Sequence, residues 1–404
     1  MTRRGRGRCR IVGAPLHDAF RDLIDGLTAL GWQIELSLFD PAPPNPSGVW
    51  SRVDALVPAG RAQGALRRLR REVVDAPRAS AWFARVEGEL ATLAAGEAAL
   101  VFVDQAPIGL ARLAARVQPR AVLVTLEAVT REWRLRRPMR LARWMATSQQ
   151  GSLHVDLLQP PGAGSLRTVV CPSVSWEADL NATPVRPASS MVIPFGVPVP
   201  DDVPTRPMDV SSPARLIWAG RLSPEKGLHL FLEALPAIRA QRPIRLTAVA
   251  APGPAVYARR IWDTIATLHL QDVVDLVPAV PRDTLVGMFS EADLLLFHSI
   301  FREPVAQVML HAGAAGLPVV GPRTSDPRAA LRDGATAWCY ADTSPAAVAD
   351  AVLRALATPD DRVRAARALY DEVRTHHNLT TTIAAYDALL LDSTRGSRPE
   401  PPTA

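Results

Sequence analysis

The chain has 404 residues, with 46 basic side chains against 40 acidic ones and three cysteines. At 48% hydrophobic and 21% charged, the composition is globular, which excludes a disordered or collagen-like chain, and the length fits two domains. Five arginines fall within residues 1–10 with no acid among them, so the net charge of +6 is mostly a short tail and no nucleic-acid surface is expected.

Cys9, Cys171 and Cys339 are odd in number and far apart, which argues against a disulfide framework or a Cys-rich metal site and fits a reducing cytoplasm. The apolar stretch 11–16 breaks at His17 and Asp18, too short for a signal sequence, and nowhere do about 18 apolar residues run together. A soluble cytoplasmic protein is the expectation. Lys226 is the one lysine in a chain that otherwise uses arginine.

In chain order, short apolar runs alternate with amphipathic stretches, the pattern of parallel sheets with crossover helices. A strand over 10–12, a helix over 18–30 closed by Gly31, and an alternating strand over 33–38 come first. Residues 41–48 form a Pro-rich loop, and buried strands are predicted over 98–103 and 121–126 with a helix between them. Weaker strands fall at 168–170 and 191–193, and the Pro- and Asp-rich stretch 198–209 reads as a linker. A second cycle predicts strands over 215–218, 244–250, 272–276, 294–297 and 317–320, with helices over 225–240, 256–268 and 345–355. The expected domains are a first α/β lobe (1–195), a second (210–370), a C-terminal helix over 371–391 packing back on the first lobe, and a disordered tail over 392–404.

No Gly-x-x-x-x-Gly-Lys loop, Gly-x-Gly-x-x-Gly fingerprint, Gly-x-Ser-x-Gly elbow or His-Glu-x-x-His helix is present. No Asp-x-Asp pair offers a ligand set for a divalent ion, so metal chemistry is not expected. The stretch 215–227 (RLIWAGRLSPEKG) runs a strand into Gly220 and Arg221, then a turn, then a helix from about Pro224. That places Arg221 at the carboxyl edge of a parallel sheet, where such folds bind ligands, and Lys226 in the first helical turn. The helix dipole disfavours a cation there by roughly 0.3–1 kcal/mol, so a lysine kept in that turn points to an anion held by both cations. In 297–320 (FHSIFREPVAQVMLHAGAAGLPVV) a helix is expected to start at Pro304, with Glu303 beside its N-terminus. Glu303 and His311 then lie just over two turns apart, offset by about 80°, able to line one flank of a ligand. Alternatively, Glu303 serves the helix dipole and His311 is a packed or solvent-facing side chain.

Together, Gly220-Arg221-Leu-x-x-x-Lys226-Gly227 and Glu303-Pro, His311-Ala, Gly316-x-Pro318-Val-Val resemble the nucleotide-sugar lobe of retaining glycosyltransferases of the GT-B fold. That group includes sucrose synthases, phosphatidylinositol mannosyltransferases and mycothiol N-acetylglucosaminyltransferases. Residues 192–197 (VIPFGV), Cys171-Pro-Ser173 and Arg332-Asp-Gly334 add to the match, which is strong over 165–355 and weak before it. The resemblance implies an α/β chain of two Rossmann-like lobes facing each other across a cleft. It also implies a UDP- or GDP-linked sugar as co-substrate, with no other cofactor and no metal. Arg221 and Lys226 would hold the diphosphate, Glu303 would contact the sugar, and Gly220, Val305, Ala306, Gln307 and His311 would complete the donor site. His311 stands where the group has a second glutamate for the ribose, and Glu127 where it commonly has a histidine near the reacting carbon. Thr324-Ser325 replaces its Gly-Gly turn.

The implied activity is sugar transfer from a nucleotide diphosphate to a small-molecule or natural-product acceptor, of hexosyl or N-acetylhexosaminyl type. A non-catalytic protein that binds a nucleotide sugar or stabilises a partner enzyme is the alternative. The stretch 131–144 carries six arginines and two tryptophans interrupted by Pro138. A solvated face is its favoured reading and peripheral membrane contact the lesser one.

Overall fold

The computed structural model describes residues 6–13, 18–38, 76–94, 96–102, 110–118, 121–124, 168–181, 189–204, 209–210, 212–299, 306–323 and 330–395. The chain divides into two units, Met1–Pro194 with Thr380–Ala404, and Phe195–Leu379.

The first unit runs β1 (Gly7–Gly13), α1 (Asp18–Ala29), β2 (Trp32–Leu38), α2 (Ala76–Ala91), β3 (Ala98–Phe102), α3 (Leu110–Val117), β4 (Val122–Val124), β5 (Thr168–Cys171), α4 (Val174–Asn181) and β6 (Ser189–Val192). Its parallel sheet is ordered β2-β1-β3-β4-β5-β6. Strands β3 and β4 are buried along their whole length, which is why they read as unbroken apolar runs. The last helix of the chain begins at Leu379 and belongs to this unit from Thr380 onward. Its Tyr386 and Leu390 are buried with Leu23 and Leu27 of α1 and Trp32 of β2. The Trp32 indole N–H donates to Asp387 at 2.8 Å, and Arg6 pairs with the same carboxylate at 3.1 Å. Asp387→Ala leaves that indole N–H buried without an acceptor, so a loss of about 1–3 kcal/mol is expected in urea unfolding.

The second unit runs β7 (Ala214–Arg221), a 3₁₀ turn (Pro224–Lys226), α5 (Leu228–Arg239), β8 (Ile244–Ala251), α6 (Ala255–Thr267), β9 (Val274–Pro278), α7 (Arg282–Glu291), β10 (Leu294–Leu296), α8 (Gln307–Ala314), β11 (Val319–Pro322), β12 (Trp338–Tyr340), α9 (Pro345–Ala357) and α10 (Pro359–His376). Its parallel sheet has the order β12-β11-β10-β7-β8-β9. Successive residues of β7 feed opposite faces: Leu216 and Trp218 join a core with Phe231 and Leu235 of α5, and Ile217 joins one with Met309 and Leu310 of α8. This is a doubly wound sheet covered on both sides.

Several expectations need correction. The helix expected over 225–240 is interrupted: Lys226 ends a 3₁₀ turn, and α5 starts only after Gly227. Lys226 therefore precedes the helix instead of lying in its first turn, because Gly227 takes a left-handed backbone that no helix continues through. The helix placed at Pro304 begins at Gln307, since Ala306 has extended backbone. The strand expected over 272–276 is Val274–Pro278.

The stretch 198–209, read as a linker, is not where the units divide. Its Pro200 and Asp201 carbonyls accept the Tyr370 hydroxyl at 2.6 and 3.2 Å, within the second unit. In place of one helix over 371–391 there are two, Pro359–His376 and Leu379–Arg395, broken at His377 and Asn378. Residues 392–395, expected in a disordered tail, are helical, and Ser393 and Thr394 donate back to the Leu390 and Leu391 carbonyls.

Candidate functional site

Strands β7 and β10 are neighbours from which the chain departs in opposite directions. In open α/β sheets the carboxyl ends at such a switch point flank the ligand crevice. Here β7 ends in Gly220 and Arg221, and β10 leads into Phe297, His298 and Ser299.

The turn that follows β7 is held from three directions. From below, the Trp218 indole N–H donates to the Lys226 carbonyl at 3.1 Å. On one side the loop after β8 packs backbone to backbone: a Cβ at Gly253 would overlap the Leu222 carbonyl, and Leu222 N–H donates to Ala251 at 2.9 Å. On the other, the His298 ring lies where a side chain at Gly227 would go, with its Cγ 2.7 Å from the ideal Cβ position. Gly227 has φ 65°, and its N–H closes the turn onto the Pro224 carbonyl at 3.2 Å. The Lys226 side chain leaves the turn beside Gly220, where a Cβ would stand 3.7 Å from its own Cβ.

Arg221 donates to Glu225 at 2.6 Å and to Ser223 Oγ at 3.4 Å, with its side chain 54% exposed. Burial alone would raise the Glu225 carboxyl, but hydrogen bonds from Ser223, its own backbone and Arg221 outweigh it and hold the group below the ordinary carboxylate range. An exposed ion pair of this kind is worth about 0–1 kcal/mol. A hydrogen bond to a charged group contributes about 1.5–3 kcal/mol, enough for an anionic ligand to take the guanidinium over.

Two histidine–tyrosine pairs flank the turn. His229, at the start of α5, has Nδ1 2.8 Å from the Tyr257 hydroxyl, and His298 has Nδ1 2.7 Å from the Tyr340 hydroxyl. Burial, then the neighbouring His229 and Lys226, push the His298 imidazole down to about 4. Burial and Arg260 lower His229, while burial raises both tyrosines. Glu225, His229, His298 and Tyr340 were not among the residues singled out from sequence. A histidine directly after the apolar run 294–297 was the available signal.

The structure thus brings Gly220, Arg221 and Lys226 together. Ala306 is the buried N-cap of α8, Gln307 is its first residue, and His311 lies half-buried further along it. Among the described residues, no side chain caps this helix. Glu127, Glu303 and Val305 lie outside the described residues, as do 131–144 and Thr324-Ser325. Among the described residues, no three His, Cys, Asp or Glu side chains group as metal ligands, and no helix is long and apolar enough to cross a membrane.

A doubly wound sheet with Arg221 and Lys226 at the switch-point end of β7 defines an α/β protein with two cationic residues at the edge where such sheets bind ligands. More narrowly, residues 213–358, within the second unit, match the family described as Glycosyl transferases group 1. Across both units the fold is that of GT-B glycosyltransferases. Sucrose-phosphate synthase from Thermosynechococcus elongatus superposes with a TM-score of 0.67 at 17% identity, covering 97% of this chain and 100% of that one. Anabaena HepE in complex with UDP gives 0.65 at 14% identity, covering 95% and 100%. In sequence, glycogen synthase of Mycobacterium tuberculosis is 29% identical over 194 residues, which is 47% of this chain and 46% of that protein. The D-inositol 3-phosphate glycosyltransferase of Streptomyces scabiei is 30% identical over 165 residues, 39% of this chain and 37% of the relative. The chain therefore spans less than half the length of these curated relatives.

Proposed function

We propose that the protein is a metal-independent, retaining glycosyltransferase that moves a sugar from a nucleotide diphosphate to a small-molecule or natural-product acceptor in the cytoplasm. The observation that carries this reading is the braced Arg221–Lys226 turn at the switch point of the unit that matches the Glycosyl transferases group 1 family. Arg221 and Lys226 bind the diphosphate and stabilise the charge that develops as it departs, work that a bound cation does in other enzymes. Glu303 contacts the sugar, with Val305, Ala306 and Gln307 beside it. His311 offers the ribose one hydrogen bond in place of a bidentate carboxylate. The acceptor attacks from the face the diphosphate leaves, and the departing phosphate takes its proton. Acceptor recognition falls to the first unit, where Glu127 positions an amine-bearing acceptor by pairing with its ammonium. The UDP in the related HepE structures supports a nucleotide donor.

The test is a thermal-shift screen against UDP and GDP, followed by incubation with UDP- and GDP-sugars to detect slow donor hydrolysis. A nucleotide at about 100 times its Kd stabilises the fold by about 2.7 kcal/mol. If neither diphosphate raises the melting temperature, the reading is wrong. The alternative of binding without turnover draws on His311 and Glu127. Stabilisation without hydrolysis, even with acceptor mixtures present, would select it.

A further inference from the structure

We propose that His298 is a donor-binding residue that takes up a proton as a nucleotide sugar docks, its ring held ready for that by Tyr340. This rests on the donor-site reading given above.

Hydrogen counting fixes the ring. The Tyr340 hydroxyl lies 2.7 Å from His298 Nδ1 and donates to the Phe297 carbonyl at 3.2 Å. A phenol has one proton, so with that proton on the carbonyl the Nδ1–H of His298 is the donor to Tyr340. The remaining nitrogen, Nε2, is then a bare acceptor, and it is bonded to Cδ2, the atom of the ring pressed closest to Gly227 beside Lys226. A proton drawn from solvent onto Nε2 makes an imidazolium without breaking any bond in the relay.

His229 lacks this constraint. The Tyr257 hydroxyl accepts the His229 backbone N–H at 3.3 Å and lies 2.8 Å from Nδ1, with no carbonyl claiming its proton, so the pair can be bonded with either tautomer. Of the two imidazoles, His298 is the one whose partner fixes a bare Nε2.

The charges around His298 explain why it waits for an anion. Lys226 and His229 face it and oppose its protonation, and it is 5% exposed. Beyond them stand Arg221 paired with Glu225 on the turn, Glu233 on α5 and Arg260 on α6, with the phenol of Tyr340 on β12. A diphosphate placed against Arg221 and Lys226 reverses the sign of the field at Nε2 and raises the imidazole. Next to His298, the Ser299 hydroxyl is 8% exposed and has no hydrogen-bond partner among the described residues, as expected of a strand end that a polar ligand completes. By linkage, donor affinity strengthens as pH falls through the raised, bound-state pKa and levels off below the free value of about 4.

The experiment is calorimetric titration of the full chain with UDP-glucose and GDP-glucose, whose diphosphates carry no titrating proton near neutrality. Each is run in buffers of different ionisation enthalpy. Uptake of a fraction of a proton is expected at about pH 6, falling towards zero at about pH 8. His298→Asn keeps an N–H for Tyr340 but has no site for a proton. It is expected to bind with buffer-independent enthalpy, and about tenfold more weakly at about pH 6. Binding to the native chain with the same enthalpy in every buffer overturns the inference alone, as does uptake that persists in His298→Asn. Failure of both sugar nucleotides to bind the native chain overturns the donor-site reading and this inference with it.

Discussion

Lys226→Ala is expected to cut donor turnover sharply and to weaken nucleoside diphosphate binding by about 10- to 100-fold, from the loss of one charged hydrogen bond of about 1.5–3 kcal/mol. Turnover should suffer more than binding, by about 10²–10³ in kcat, because the ammonium acts on charge that grows as the sugar bond breaks. The backbone of the turn is kept: the residue 226 carbonyl accepts from Trp218, and its N–H donates to the Ser223 carbonyl at 3.0 Å. Alanine retains both bonds and loses only side-chain interactions, so unfolding free energy should fall by no more than about 1 kcal/mol. Lys226→Arg restores the charge on a longer, planar group and should recover binding more than turnover. The measurements are calorimetric titration with UDP or GDP, initial rates of donor hydrolysis and a urea melt. If Lys226→Ala binds and turns over donor as the native chain does, the diphosphate lies elsewhere.

How much of this could be read beforehand depends on how local each feature is. Strands β3 and β4 are buried on both faces, so their sequences are apolar throughout and need no tertiary knowledge. Gly220, Arg221 and Lys226 are legible because a strand, a turn and a conspicuous lysine follow one another within twelve residues or so. The break at Gly227 is not, since a left-handed glycine leaves no trace inside a stretch that otherwise scans as one helix. Only the ring of His298, contributed by a different strand, shows why that glycine is needed. The His298–Tyr340 relay spans 42 residues and joins β12, whose three residues are too few for a period to emerge. The helix at Leu379–Arg395 was legible as a helix, but its start was not, because the interruption at His377 and Asn378 is made by long-range bonds. The Val197 N–H donates to the His377 carbonyl at 2.9 Å, and the Val197 carbonyl accepts from the Leu379 N–H at 2.9 Å.

Gly227→Ala is the substitution expected to damage stability and the site together. Residue 227 has φ 65°, where an L side chain costs about 1–2 kcal/mol. Its new methyl would also be driven into the His298 ring, against which even the Cβ of His298 stands at 2.9 Å, adding about 1–3 kcal/mol of overpacking. At about 2–4 °C per kcal/mol for a unit of this size, the melting temperature of the second unit should fall by about 4–20 °C. Gly334 is the internal comparison: φ is 72° there, but among the described residues nothing lies within 4 Å of an added Cβ. Gly334→Ala should therefore cost only the backbone part, about 1–2 kcal/mol, and leave donor affinity unchanged. The difference between the two alanines isolates the pressure on His298. A double-mutant cycle completes the argument, because His298→Ala removes the ring that the methyl strikes. Part of the Gly227→Ala loss should return in the double variant, giving a coupling on the order of 1–2 kcal/mol. Equal losses for the two glycines, or strict additivity in the cycle, would mean that the ring does not brace the turn. Donor binding in Gly227→Ala should fall more than its stability alone predicts, since Lys226 is carried by the same turn and moves with it.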